Sequence, residues 1–232
     1  MELKKLLTYL FEQTEQAEPI LELAIIEGMD ETAQYPEGFN IKTLKTLPSF
    51  AQKLKYLRDF LPYLGAGSSR SVFRADQNLA LKMAKNSKGL AQNKAEVSVS
   101  KDADRDGYNN LIARVIDHDP NFLWVESELA RRAISADWKK AFGQTQQDML
   151  YAIGNFDRPS YFSSIGSQRK NTEEASEFLD GVRSFVENTG TLAGDLARPS
   201  SWGVVSRDGK DRLVIIDYGF TEDIRKKFYT RK

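Results

Sequence analysis

Lys82 stands in the alternating stretch "LALKMAK", between Leu81 and Met83, where a charge in mid-strand needs a partner or a ligand. Upstream, "LGAGSSRSVF" sets Gly65 and Gly67 two apart. Lacking side chains, they let the backbone approach a phosphate closely, and positive φ costs them little. Val72 is placed to pack over a flat ring. The pattern is neither a Walker A loop nor a Rossmann turn, because a strand rather than a helix follows the glycines. Glu96 comes fourteen residues after Lys82, in a segment suited to a helix, and a carboxylate there can hold the ammonium in place for α and β phosphates. Near the other end, "VIIDYGF" delivers Asp217 from a β-branched run. Such a carboxylate needs a partner, and a divalent metal on phosphate oxygens is a natural one. "LAGDLARPSSWGVV" carries Asp195 ahead of the paired strand, so Asp195 and Asp217 bracket one hairpin.

The elements that must position these groups follow from periodicity. Residues 1–62 read as helical: Leu3, Leu6, Leu7, Leu10 and Phe11 share one face, and Leu47, Phe50, Leu54, Leu57 and Leu61 share another, with a turn-rich break at "AQYPEGFN". "SRSVFRA" and "LALKMAK" read as strands around "DQN", "NKAEVSVSKDA" as a helix, and "LIARVIDHD" with "FLWVESELA" as a second strand pair. A mainly helical region is expected from 131 to 189, broken by "GNFDRPSYFSSIGSQRKN". After it, "SWGVVSR" and "RLVIIDYG" form a hairpin with Asp-Gly at the turn. The basic tail "IRKKFYTRK" reads as a solvated end. Trp124, Trp138 and Trp202 read as core, and His118 in "DHDP" as a turn residue.

Composition narrows the classes. The 232 residues contain no cysteine, which removes disulfides, thiolate zinc sites and cysteine nucleophiles. One histidine leaves no histidine-based triad or metal cluster. Lys plus Arg equals Asp plus Glu at 33 each, so no basic field points to nucleic acid. No apolar run is long enough for a membrane helix. The expected location is cytoplasmic, in the host cytoplasm if the protein is phage-encoded, with no membrane partner.

Taken in order, these stretches resemble the protein-kinase-like fold, in a form similar to divergent small phage-type kinases and pseudokinases. The resemblance covers residues 63–220. It rests on Gly65, Gly67 and Val72 as a Gly-rich loop, "LALK" as the strand-lysine motif, Glu96 as the helix glutamate, "ESEL" as the adenine hinge, "GDL" as the catalytic loop and "DYG" in place of Asp-Phe-Gly. It implies an α+β, two-lobed fold: a helical extension at 1–62, an N-lobe at 63–130, and a reduced, mainly helical C-lobe at 131–232. It also implies that ATP and Mg2+ are the cofactors. Lys82 would hold the α and β phosphates, Glu96 would orient Lys82, and Asp195 would orient or deprotonate an acceptor hydroxyl. Asp217 would bind magnesium, with Ser201 at the position of the second metal ligand, or Ser200 in the other alignment. Glu126 and Glu128 would mark the hinge, whose backbone holds adenine.

Departures are visible as well. Arg70 occupies the place of the third loop glycine, to clash with phosphate or to contact it. The thirteen residues after Gly219 are expected to leave no activation segment and no peptide groove of the usual kind. Three activities stay open: phosphate transfer to a protein or small-molecule hydroxyl, a partner-binding scaffold without transfer, and AMP transfer.

Overall fold

The computed structural model describes residues 35–156 and 173–229. The helical reading of residues 1–34 lies outside them, as does most of the loop expected at 154–171. Among the described residues, no helix is long and apolar enough to cross a membrane.

Among the described residues, two helices precede the first strand. Helix α1 (Ile41–Thr46) is capped by the Asn40 side chain, and α2 (Phe50–Phe60) by a capping box in which Ser49 and Gln52 satisfy each other's backbone N–H. Their apolar faces place Leu44, Leu57 and Leu61 against Phe73, Leu81, Met83 and Trp124. This packing covers one face of a five-stranded antiparallel sheet made of β1 (Tyr63–Ala66), β2 (Arg70–Arg74), β3 (Leu79–Ala84), β4 (Val115–His118) and β5 (Trp124–Glu128), in the order β1-β2-β3-β5-β4. Successive strand side chains point to opposite faces. Leu81 and Met83 therefore go into the helix-covered core, while Ala80 and Lys82 go to the open face, beside Arg70 and Val72.

Helix α3 (Ser87–Asp102) starts at Asn86, whose side chain accepts from the N–H groups of Lys88 and Gly89, and lies along β3. The chain then passes through β4 and β5 and reaches the second part through Leu129 and Ala130. That part contains β6 (Arg131–Arg132), α4 (Ser135–Phe142), α5 (Gln146–Gly154), α6 (Glu173–Thr189), α7 (Ala193–Leu196), a 3-10 turn (Pro199–Ser201), β7 (Trp202–Arg207), β8 (Lys210–Ile215) and α8 (Glu222–Tyr229). The small sheet runs β6-β7-β8. Its β7/β8 hairpin turns at Asp208 and Gly209, both at positive φ, as Asp-Gly turns favour. Trp138, Trp202, Phe185 and Tyr218 form the aromatic centre of the second core, and all are fully buried.

The chain thus has the α+β class, with a five-stranded antiparallel sheet followed by a helix-rich part that carries a small second sheet. Local readings differ in four places. Strand β1, including Gly65, belongs to the sheet, so three strands precede α3. "LIAR" is not a strand, and β4 begins only at Val115. Arg131 and Arg132 form a short strand on β7 rather than a helix start. Residues 222–229 form α8 rather than a loose tail, because Ile224 is buried and Tyr229 receives the Lys88 ammonium on its ring, 4.1 Å from the centroid.

Arg207 ties the hairpin to the large sheet. Its buried guanidinium donates to the Asn109 and Ile112 carbonyls and pairs with the Glu128 carboxylate. Arg207→Met would remove the guanidinium donor from both carbonyls and leave the Glu128 carboxylate without its cation, and should cost about 3–5 kcal/mol in chemical denaturation. A loss below about 1 kcal/mol, the range of surface pairs, would contradict this role.

Candidate functional site

A cleft of about 850 Å3 opens between the two sheets, within the size range of small-molecule and cofactor sites. Its roof is the β1/β2 turn. Gly67 N–H bonds the Arg70 carbonyl at 3.0 Å, and Lys85 Nζ donates to the Gly67 carbonyl at 2.6 Å. Neither Gly65 nor Gly67 has positive φ, and a Cβ added at either would meet no protein atom within 4 Å. The fold itself therefore does not require glycine at these positions. Val72, Ala80, Leu129 and Ile216 supply apolar walls.

The charged centre is built on Glu96, which is fully buried on α3. Its Oε2 lies 2.7 Å from Lys82 Nζ and its Oε1 2.7 Å from Arg70 Nη1. Burial alone would push this carboxyl up, but Arg70 and Lys82 together hold it below the ordinary carboxylate range. Lys82 also donates to the Ile216 carbonyl at 2.7 Å, and its ammonium sits 5.8 Å from the Tyr218 ring centre. Arg70 reaches on from Glu96 to Asp217, so one guanidinium bridges the helix carboxylate and the one after β8. Burial opposes its charge, yet Glu96 and Asp217 hold it more firmly protonated than a free guanidinium. The 217–219 segment is pinned here: Tyr218 donates to the Ala113 carbonyl at 2.8 Å, and a Cβ on Gly219 would lie 2.5 Å from the Gln92 carbonyl oxygen. Only glycine lets this segment lie against α3.

On the opposite side, α7 presents Asp195 to the cleft, with Arg198 Nη1 3.1 Å from its Oδ1. Burial and the charge of Asp217 push the Asp195 carboxyl up, and Arg198 and Arg70 oppose that shift. Lys82, Arg70, Asp195 and Asp217 therefore share one cleft.

Ser201 and Glu126 lie away from the expected positions, and Glu128 lines the cleft with its carboxylate engaged elsewhere. Ser201 is buried, and its hydroxyl donates to the Asp195 carbonyl at 2.8 Å; Ser200 lines the cleft instead. The backbone of Glu126 is central in the sheet, between β3 and β4, and its carboxylate accepts from the Tyr35 hydroxyl away from the cleft. Burial pushes that carboxyl up to about 7; the Tyr35 bond opposes the shift, and Asp117 and Asp76 add to it. The Glu128 carboxylate is taken by Arg207 and by Arg114 N–H, although Glu128 does line the cleft with Leu129 and Ala130. A divalent metal does not fit these donors as placed. Asp217 holds a guanidinium, Ser201 has turned to a carbonyl, and no group of three or more His, Cys, Asp or Glu among the described residues could hold a metal ion.

Arg132, Arg198, Gln92 and Tyr229 also line the cleft. Arg132 is legible as a cation after the hinge stretch, open to a phosphate contact or a solvated helix start, and Arg198 has a local signal in its i,i+3 spacing from Asp195; Gln92 and Tyr229 carry none.

No protein-family model matches the chain, and no curated protein sequence matches it. Among solved structures, it is similar to the streptomycin–ATP–APH(2")-IIa ternary complex, at 12% identity and a TM-score of 0.37 over 75% of this chain and 71% of that one. The gentamicin–APH(2")-IIa complex is similar at 13% identity and a TM-score of 0.35 over the same shares. SAICAR-synthase from Saccharomyces cerevisiae follows at 11% identity and 0.29, over 70% of this chain and 74% of that one. None is close enough to bear on the ligand or reaction of this chain.

The Glu96 network makes an asymmetric prediction. Glu96→Ala strands the buried Lys82 ammonium without a carboxylate and leaves Arg70 with Asp217 alone, and should cost about 3–5 kcal/mol, whereas Lys82→Met leaves Glu96 paired with Arg70 and should cost clearly less. Because the folded Glu96 value is depressed, its contribution is complete above the unfolded value of about 4.5 and disappears as pH falls through the lower folded value. Urea melts from pH 3 to 7 check both points. Equal losses in the two variants, or an acid limb unchanged by Glu96→Ala, would contradict the network.

Proposed function

We propose that the cleft binds a nucleoside triphosphate, ATP in the order of motifs described, and presents its terminal phosphate to a hydroxyl of a protein or small molecule. The observation that carries this reading is the Lys82–Glu96 pair at 2.7 Å, held at the floor of a cleft whose roof glycines are not required by the fold. Adenine would lie between Val72, Ala80 and Ile216 and bond the backbone of 128–130. The triphosphate would run under Gly65 and Gly67 to Lys82. Both glycines offer the close backbone approach that a phosphate chain needs.

Transfer would proceed in line. The acceptor oxygen forms a bond to the γ-phosphorus as the bond to the β,γ-bridging oxygen breaks, ADP leaves, and the acceptor's proton passes to the Asp195 carboxylate. The burial that raises Asp195 makes it a better proton acceptor. Positioning and electrostatics would supply nearly all of the acceleration. Magnesium commonly neutralises phosphate charge in such transfers, but the donors as placed do not make its site.

A second reading, a nucleotide-binding scaffold without transfer, is favoured by one observation: Arg70 occupies Asp217. Labelled ATP separates the possibilities. Label from the γ position in the acceptor supports phosphate transfer, label from the α position supports AMP transfer, and nucleotide binding with neither supports the scaffold.

Two variants test the site. Gly67→Ala should melt within about 0.5–1 kcal/mol of the parent, because its Cβ meets open space, yet weaken ATP binding. Asp195→Asn should keep ATP-induced thermal stabilisation and lose transfer by about 10²–10⁴-fold. Unchanged affinity in the first variant, or undiminished transfer in the second, would remove the corresponding role.

A further inference from the structure

We infer that the arginines of the cleft take the place of divalent metal, so that the triphosphate binds without a divalent cation. The inference rests on the nucleotide reading above and concerns how the phosphate charge is met. Each carboxylate that faces the cleft across from Lys82 already has an arginine. Arg70 Nη2 pairs with Asp217 Oδ1, and Arg198 Nη1 lies 3.1 Å from Asp195 Oδ1. Bare, these two aspartates would repel a triphosphate and would need metal ions between them and it. Paired, each has an arginine that offsets its charge toward the phosphates.

Arg70 is a built feature. Its side chain is only 8% exposed, and it is held by Glu96 at 2.7 Å and by Asn93 Oδ1 at 3.4 Å. It projects from β2 on the same face as Val72, directly behind the glycine turn. A guanidinium cannot release its proton in a protein, so this is a permanent charge. For a metal to take Asp217, Arg70 would have to give up that partner while remaining buried. It would then share the single Glu96 carboxylate with Lys82, two buried cations on one anion. A planar guanidinium also offers further N–H donors to phosphate oxygens, which a metal-free site needs. Arg132, an exposed cation on the cleft wall, adds to the same field.

Isothermal titration of the full chain with ATP, once in EDTA and once in excess magnesium, tests this. The expected result is binding in both, with dissociation constants within about threefold of each other. Binding that appears only with magnesium, or is about tenfold or more weaker in EDTA, overturns the inference and leaves the nucleotide reading standing. No binding in either condition overturns the nucleotide reading, and the inference with it. Arg70→Gly should make binding magnesium-dependent by freeing Asp217; binding in EDTA that is as tight as in the parent would overturn the role of Arg70. Should that variant unfold, Arg198→Gln, whose arginine side chain is 68% exposed, supplies the second arm. It should weaken binding in EDTA more than in magnesium, and equal weakening in both overturns the substitution of arginine for metal at Asp195.

Discussion

A carboxylate with no contact with water is the constraint on which the rest of this structure depends. Glu96 cannot remain ionised in the interior without cations at hydrogen-bond distance, and two are supplied, Lys82 from β3 and Arg70 from β2. Satisfying it therefore sets the position of α3 against the large sheet. Because Lys82 also reaches the Ile216 carbonyl and Arg70 reaches Asp217, the same carboxylate draws in the segment after β8. Gly219 completes the contact by lying against the Gln92 carbonyl, where any side chain would collide. One buried charge thus brings four chain segments to a single point.

Sheet alternation then decides what faces that point. Helices α1 and α2 cover one face of the sheet with Leu44, Leu57 and Leu61, which commits Phe73, Leu81 and Met83 to a dry core. The residues between them must point the other way, and they are Val72, Ala80 and Lys82. The cleft's apolar walls and its ammonium are therefore consequences of packing on the far side of the sheet. The same logic puts the Lys82 ammonium and the Arg70 guanidinium on the cleft side, each paired with a carboxylate.

Features that depend on local pattern were legible in the sequence. Lys82 in an alternating run, Glu96 on a helix after it, and an Asp-Gly hairpin ending at Asp217 all follow from periodicity and turn chemistry. Features that depend on where a long side chain goes were not. Arg70 could have entered solvent, met a ligand or turned inward, and only the position of Glu96 and Asp217 decides among these. Ser200 and Ser201 are adjacent and chemically identical, so which one faces the cleft depends on the 3-10 turn of Pro199–Ser201, a conformation with no strong sequence mark. Glu126 reads as a hinge residue because it opens "ESEL" directly after the strand "FLWV". Its side chain is claimed by Tyr35, ninety-one residues away, and pairing of that kind leaves no local trace. Helix α8 was hidden for a related reason: its basic residues dominate the composition, while one buried residue, Ile224, anchors it.

The central claim is that Glu96 holds Lys82 and Arg70 in place at the floor of the cleft, where the proposed triphosphate would meet them. The most direct test is a crystal structure of the chain with a non-hydrolysable ATP analogue. It should show phosphate oxygens at hydrogen-bond distance from Lys82 Nζ, with the Lys82–Glu96 and Arg70–Glu96 pairs intact and the base beside 128–130. An analogue bound outside the cleft, or one that reaches Lys82 only after the Glu96 pairs have broken, would contradict the account.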